Sequence, residues 1–213
     1  MAVDLTITAE NIQKRFAYKP VFKPVSFKAE PSEIIAITGF NGAGKSTLLK
    51  MIGNVLSPTK GTCVWERGGK KMDNDGIRVS LGYVAPYLEL YDELTAVEHV
   101  ELVGKLKGIA LKKGEAVELL EGFGLDAAVA KSDRHLRAYS SGMKQRVRCA
   151  MAFACAPSAL LLDEPTSTLD DVGTAAVLGQ AVLAAERGSI VFLATNDTRE
   201  RAIAHREIRI EPK

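Results

Sequence analysis

A chain of 213 residues, 46% hydrophobic and 25% charged, can bury the core of one globular domain or of a domain carrying an inserted subdomain. Its 28 basic and 26 acidic residues leave a net charge of +2, too weak a field to hold a polyanion, so nucleic acid is not expected as a partner. Three cysteines, Cys63, Cys149 and Cys155, lack the paired short spacings of zinc or redox motifs and read as reduced thiols of a reducing compartment.

Along the chain, the opening MAVDLTITAENIQKRF carries Asp4 and Glu10 among its apolar residues and lacks the basic-then-apolar order of a secretion signal. LTITAENIQKRF and VSFKAE alternate apolar and polar residues, as half-exposed antiparallel strands do. EIIAITG is continuously apolar and ends in glycine, the pattern of a strand buried on both faces, and 45–53 follows as a helix closed by Gly53. Further strands are expected at 63–66, 79–84, 160–162, 190–194 and 207–210, with helices over 172–187 and 199–204 between the last three, an alternation that predicts parallel β-α units. Residues 95–137 differ. LTAVEHVELVGKLKG opens with Thr95 and Glu98 at capping-box spacing, GEAVELLEGFG reads as a second helix, and no strand pattern interrupts them, so a helical subdomain is expected inside the α/β core. CAMAFACAPSALLL and TAAVLGQAVLAA are broken by Pro157 or fall short of the roughly 20 apolar residues of a spanning helix, so any membrane association is expected to come through a partner.

Three motifs carry chemistry. GFNGAGKST, 39–47, fits G-x-x-x-x-G-K-[ST] between a buried strand and a helix. Gly39, Gly42 and Gly44, with Asn41 and Ala43 between them, let backbone N–H groups turn around phosphates at a helix N-terminus. Lys45 is expected to reach the β- and γ-phosphates, and Ser46, beside Thr47, to offer a hydroxyl to Mg²⁺. SALLLDEPTSTLDD ends an apolar strand in Asp163 and Glu164, one carboxylate for the metal shell and one to polarise water. YSSGMKQRVRCAMAFAC sets Ser140, Ser141 and Gly142 at a helix N-terminus, either a plain cap or a second anion site.

Together these resemble the nucleotide-binding domain of ATP-binding-cassette (ABC) proteins: GFNGAGKST is similar to Walker A, YSSGMKQR to the LSGGQ signature, LLLDEP to Walker B with its following glutamate, and STLD to the D-loop. Order, spacing and the intervening helical segment match along essentially the whole chain. The resemblance implies a single domain over 1–213, with a P-loop NTPase core and antiparallel β subdomain over 1–94 and 138–213 and a helical subdomain over 95–137. It implies ATP and Mg²⁺ as ligands, with Asp163 and Ser46 at the metal, Glu164 as general base and Asp170 communicating across a dimer. Two copies, or this chain and a homologous subunit, would close head to tail so that Ser140 to Gly142 of one complete the phosphate site of the other. Phe16 aligns with the aromatic that stacks on adenine, and Tyr18 is a rival. The implied function is the ATP-hydrolysing subunit of a membrane transporter, at the cytoplasmic face through a separately encoded permease whose coupling segment would dock near 86–93. Compact exporter subunits, including small haem-exporter ATPases, are similar in type. The alternatives weighed are a non-transport ABC ATPase and a nucleotide-gated module with negligible hydrolysis.

Two positions depart from the family pattern. Pro86 stands where a glutamine touches Mg²⁺ and the attacking water, and proline offers no side-chain donor or acceptor; a neighbour such as Tyr87 or Glu89 substitutes, or the metal keeps an extra water. In IVFLATND, Asn196 stands where a histidine bonds the γ-phosphate, and an amide is shorter and never cationic. ATP binding is therefore expected intact and hydrolysis slow.

Overall fold

The structure, a computed structural model, describes residues 4–211; residues 1–3 and 212–213 of the domain expected over 1–213 lie outside that range. The alternation in β1 (Leu5–Gln13) buries Leu5, Ile7 and Ala9 and leaves Thr6 and Thr8 half-exposed. β2 (Arg15–Phe16) and β3 (Lys19–Pro20) form a short antiparallel ribbon, and β4 (Val25–Ala29) returns alongside β1. The continuous apolar run becomes β5 (Ile34–Thr38), all five residues buried, and α1 (Lys45–Ile52) follows its phosphate loop. β6 (Lys60–Arg67) and β7 (Lys70–Lys71) complete an antiparallel sheet of order β4-β1-β6-β7. The Trp65 indole N–H on β6 donates to the Ile52 carbonyl at 2.8 Å, fastening that sheet to the end of α1.

The strand expected at 79–84 begins only at Leu81. Val79 and Ser80, expected to be extended, instead close a helix, α2 (Asn74–Ser80); Asp73 caps it by accepting from the Gly76 N–H at 2.7 Å. β8 (Leu81–Val84) then enters the main sheet. α3 (Ala96–Leu106) starts in a full capping box, with Thr95 Oγ1 accepting from the Glu98 N–H at 3.2 Å and the Glu98 carboxylate accepting from the Thr95 N–H at 2.7 Å. α4 (Lys113–Gly122) and α5 (Ala127–Lys131) follow, and Phe123 packs edge-on to Phe153, centroids 5.0 Å apart, on α6 (Ser141–Phe153).

β9 (Ala159–Asp163), α7 (Asp171–Glu186), β10 (Ile190–Ala194), α8 (Thr198–Ala202) and β11 (Arg206–Arg209) end the fold. The main sheet is parallel throughout, in the order β11-β5-β10-β9-β8. The protein is thus α/β, with helices on the parallel sheet and a separate antiparallel sheet. Residues alternate between its faces: Leu160, Leu162, Val191 and Leu193 pack with α3, α4, α6 and α7, while Leu161, Ile190, Phe192, Ile35 and Ile37 pack with α1 and the antiparallel sheet. No helix among the described residues is long and apolar enough to cross a membrane. Burial pushes the Cys63 and Cys149 thiols up to about 12, which keeps them protonated and unreactive at neutral pH.

Candidate functional site

Register brings the chemistry together. Ala194 pairs with Asp163 on one side and Ile37 on the other, so the C-terminal ends of β5, β10 and β9 finish level. Strands lie about 4.8 Å apart, so the segments leaving these ends, 39–44, 195–197 and 164–167, are forced into one crevice at the C-terminal end of the sheet.

The phosphate loop needs its glycines. Gly44, the N-cap of α1, has φ 103°, and a Cβ there would lie 2.6 Å from Val21 Cγ1; Gly39, at φ 152°, would meet the Ile210 carbonyl at 2.9 Å. Ala43 is buried beneath the loop, its N–H donating to the Phe40 carbonyl at 3.0 Å. Lys45 is only 5% exposed, and its Nζ donates to the Gly39 carbonyl at 3.1 Å, which folds the ammonium back across the loop. Asn41, Gly42, Gly44, Lys45, Ser46 and Thr47 line an open hollow of about 460 Å³ together with Phe16 and Glu164. Of the two rival aromatics Phe16 lines the hollow, its ring 53% exposed; Tyr18, 95% exposed, does not.

Asp163 is buried at the end of β9. Burial raises its carboxyl pKa and the like charge of Glu164 adds to this, while the nearby Ser46 hydroxyl and the Lys45 and Lys50 ammoniums pull it back. Glu164 is exposed and adopts φ 46°, its N–H donating to the Ala194 carbonyl at 3.0 Å. A glutamate in the left-handed region is strained, and such strain clusters at functional sites. Glu164 also lines a second hollow of about 210 Å³ with Asn41, Thr166, Thr195, Asn196 and Glu200, where the Asn196 amide donates to Asn41 Oδ1 at 2.9 Å.

Ser140 and Gly142 lie outside both hollows. Ser140 is exposed and caps α6, its hydroxyl accepting from the Met143 N–H at 3.2 Å. Asp170 caps α7, accepting from the Gly173 N–H at 2.8 Å and from Arg146 of α6 at 2.7 Å. Pro86 is exposed in a turn. Beside it, the Tyr87 hydroxyl donates to that of Tyr83 at 2.7 Å, and Lys50 Nζ lies 4.0 Å above the Tyr87 ring.

This geometry joins a phosphate loop to a strand-end carboxylate pair, and the profile of the ABC transporter family matches residues 22–167. The chain belongs to the ABC transporter family. It is an ATP-binding ATPase cassette of that family. The cassette is 38% identical over 174 residues to the uncharacterized ABC transporter ATP-binding protein YxlF of Bacillus subtilis, a match spanning 81% of this chain and 56% of that protein. It is 32% identical over 194 residues to the ABC-type transporter ATP-binding protein EcsA of the same organism, covering 89% and 76%. Against the lipoprotein-releasing system ATP-binding protein LolD of Xanthomonas campestris, identity is 35% over 219 residues, covering 96% and 88%. A solved dimer of the ATP-binding cassette MJ0796, bound to ADP and Pi, superposes with a TM-score of 0.83 at 28% identity, covering 96% of this chain and 94% of that one.

Two features of the cassette's site escaped the sequence reading. Glu200 stands in DTRERA, a charged run that reads as a solvated surface helix, yet it is 1% exposed. The contact of Tyr83 with Tyr87 had only a spacing of four residues across a strand end to announce it, and that spacing has no fixed meaning in a turn.

Proposed function

We propose that this cassette is the ATP-driven motor of a membrane transporter, working as a head-to-tail dimer on a separately encoded permease. The observation that carries the reading is Glu164, which borders both the phosphate-loop hollow and the hollow that holds Asn196. In this reading a carboxylate there faces a bound nucleotide's terminal phosphate from the side on which water attacks. Residues 39–47 cradle the phosphates through backbone N–H groups and Lys45, and Phe16 stacks on adenine. Glu164 takes a proton from the attacking water, and the Asn196 amide donates to a γ-phosphate oxygen.

Mg²⁺ fits the donor set. A buried Asp163 close to the Ser46 hydroxyl and set beside a second carboxylate is costly until a cation offsets it. Asp163 and Ser46 would hold the ion, which when bound neutralises phosphate charge. Pro86 supplies nothing to it. In this reading the Tyr83 and Tyr87 hydroxyls, on the strand leading to Pro86 and just past it, replace the missing side chain; the Asp163 charge already bears on Tyr83.

Ser140 and Gly142 stand apart from the hollow at the chain's own phosphate loop and in this reading complete the site of a second copy; the similar MJ0796 cassette is itself dimeric. The permease docks near 86–93, where Tyr87, Leu88 and Tyr91 are exposed. The cytoplasmic face of the membrane follows from that partner. Glu164→Gln tests the reading: hydrolysis should fall at least about 100-fold while ATP affinity is retained. Wild-type turnover in the folded variant would remove Glu164 from the chemistry.

A further inference from the structure

Glu200 is a buried carboxyl inside the site to which the reaction above gives no role. It sits on α8, four residues past Asn196, and lines the same hollow as Glu164, Asn41 and Asn196. Its Oε1 accepts from the Thr166 N–H at 3.2 Å and from the Thr166 hydroxyl. Its Oε2 is buried without a hydrogen-bond partner; the Thr195 hydroxyl, which accepts from the Asp197 N–H at 2.8 Å, also bears on the carboxyl. The flanking arginines are engaged elsewhere, Arg199 with Asp197 and Asp171 and Arg201 with Glu207. Burial raises the carboxyl's pKa against the pull of Thr166 and Thr195. A buried carboxylate oxygen left without a partner is tolerated where the arrangement the group holds is needed.

That arrangement is specific. Thr166 is two residues past Glu164, in the segment whose other tie to the Asn196 turn is the bond from the Glu164 N–H to the Ala194 carbonyl. We propose that Glu200 is a positioning residue that staples the Glu164 segment, through Thr166, to the turn carrying Thr195 and Asn196. The staple fixes the general base relative to the amide that faces the phosphate, so it acts on turnover and not on nucleotide capture. The proposal rests on the roles given above to Glu164 and Asn196.

The test compares steady-state ATP hydrolysis and equilibrium binding of a non-hydrolysable ATP analogue in wild type, Glu200→Gln, Glu200→Ala and Thr166→Val. A glutamine keeps an acceptor for Thr166 and puts a donor where Oε2 lies, so Glu200→Gln should stay within about twofold of wild type. Glu200→Ala and Thr166→Val should each lower kcat about tenfold or more, as misplacing a reacting group does, with KM and analogue affinity within about twofold. Three results overturn the staple: Glu200→Gln as impaired as Glu200→Ala, a folded Thr166→Val with full kcat, or KM rising in step with the loss. If Glu200→Ala does not fold, Glu200→Gln and Thr166→Val decide alone. A wild type with no ATP turnover would sink the underlying reading; an active wild type with silent variants sinks only the staple.

Discussion

Asn196 commits its amide to Asn41 of the phosphate loop, 2.9 Å away, across the hollow that Glu164 also borders. An imidazole there would reach farther and could carry charge. Losing one oriented donor to a developing charge costs about 100-fold or more in turnover, so Asn196→His should raise kcat by about tenfold or more with ATP affinity little changed. Equal or lower turnover in a folded, ATP-binding variant would show that the amide is not what limits the rate. Lys45 and Ser46 could be found from the letters alone because a strand-loop-helix path around phosphates dictates their spacing, and Asp163 and Glu164 because two adjacent carboxylates close a continuously apolar strand. Glu200 could not, since nothing in DTRERA distinguishes the one side chain that α8 turns inward from the four charged or polar ones around it.

At the scale of elements, the stretch between β8 and α3 is tied to its surroundings by polar contacts on both sides. Arg148 donates to the Leu88 carbonyl at 2.8 Å and Lys144 pairs with Asp92 at 2.7 Å, both from α6, the helix that Ser140 caps. From α3, His99 Nε2 accepts from the Tyr91 N–H at 3.0 Å, so its proton is on Nδ1, which donates to the Thr95 carbonyl at 2.8 Å. Burial lowers the His99 pKa from 6.5, against the pull of the Thr95 carbonyl and the Glu98 charge. The folded state therefore binds fewer protons than the unfolded one below 6.5, and this contribution is present above that pH and lost as pH falls through the folded pKa. Hydrogen exchange, corrected for intrinsic rate, should show the Tyr91 amide losing protection on acidification below pH 6.5 and a His99→Gln variant holding it. Protection that does not change with pH in wild type would contradict this. The start of α3 was legible because a capping box is a local contract between Thr95 and Glu98. α2 was not: Ile77, Val79 and Leu81 alternate like a strand, and only the Asp73 cap, read together with Gly76, marks the first residues as helical.

For the molecule as a whole, alternating β and α segments announced a parallel sheet, but strand order was not legible, because pairing is decided by which faces the helices cover and not by residues within any one strand. That order is what levels β5, β10 and β9 and makes one crevice of three loops. The same crevice lacks Ser140 and Gly142, which cap α6 outside both hollows. The proposed head-to-tail dimer would account for this, since each copy would lend its α6 cap to the partner's nucleotide. Mixing two inactive chains measures it directly. Lys45→Ala disables a chain's own phosphate loop; Ser140→Arg, at an exposed position, blocks what it lends to the partner, at a cost in helix capping of about 1 kcal/mol. Each variant alone should hydrolyse ATP poorly, having both sites damaged. In the mixed dimer one site carries both lesions and the other carries none, so combining the two chains should restore hydrolysis toward that of one intact site. A mixture no more active than the sum of its separate parts would contradict a site shared between copies.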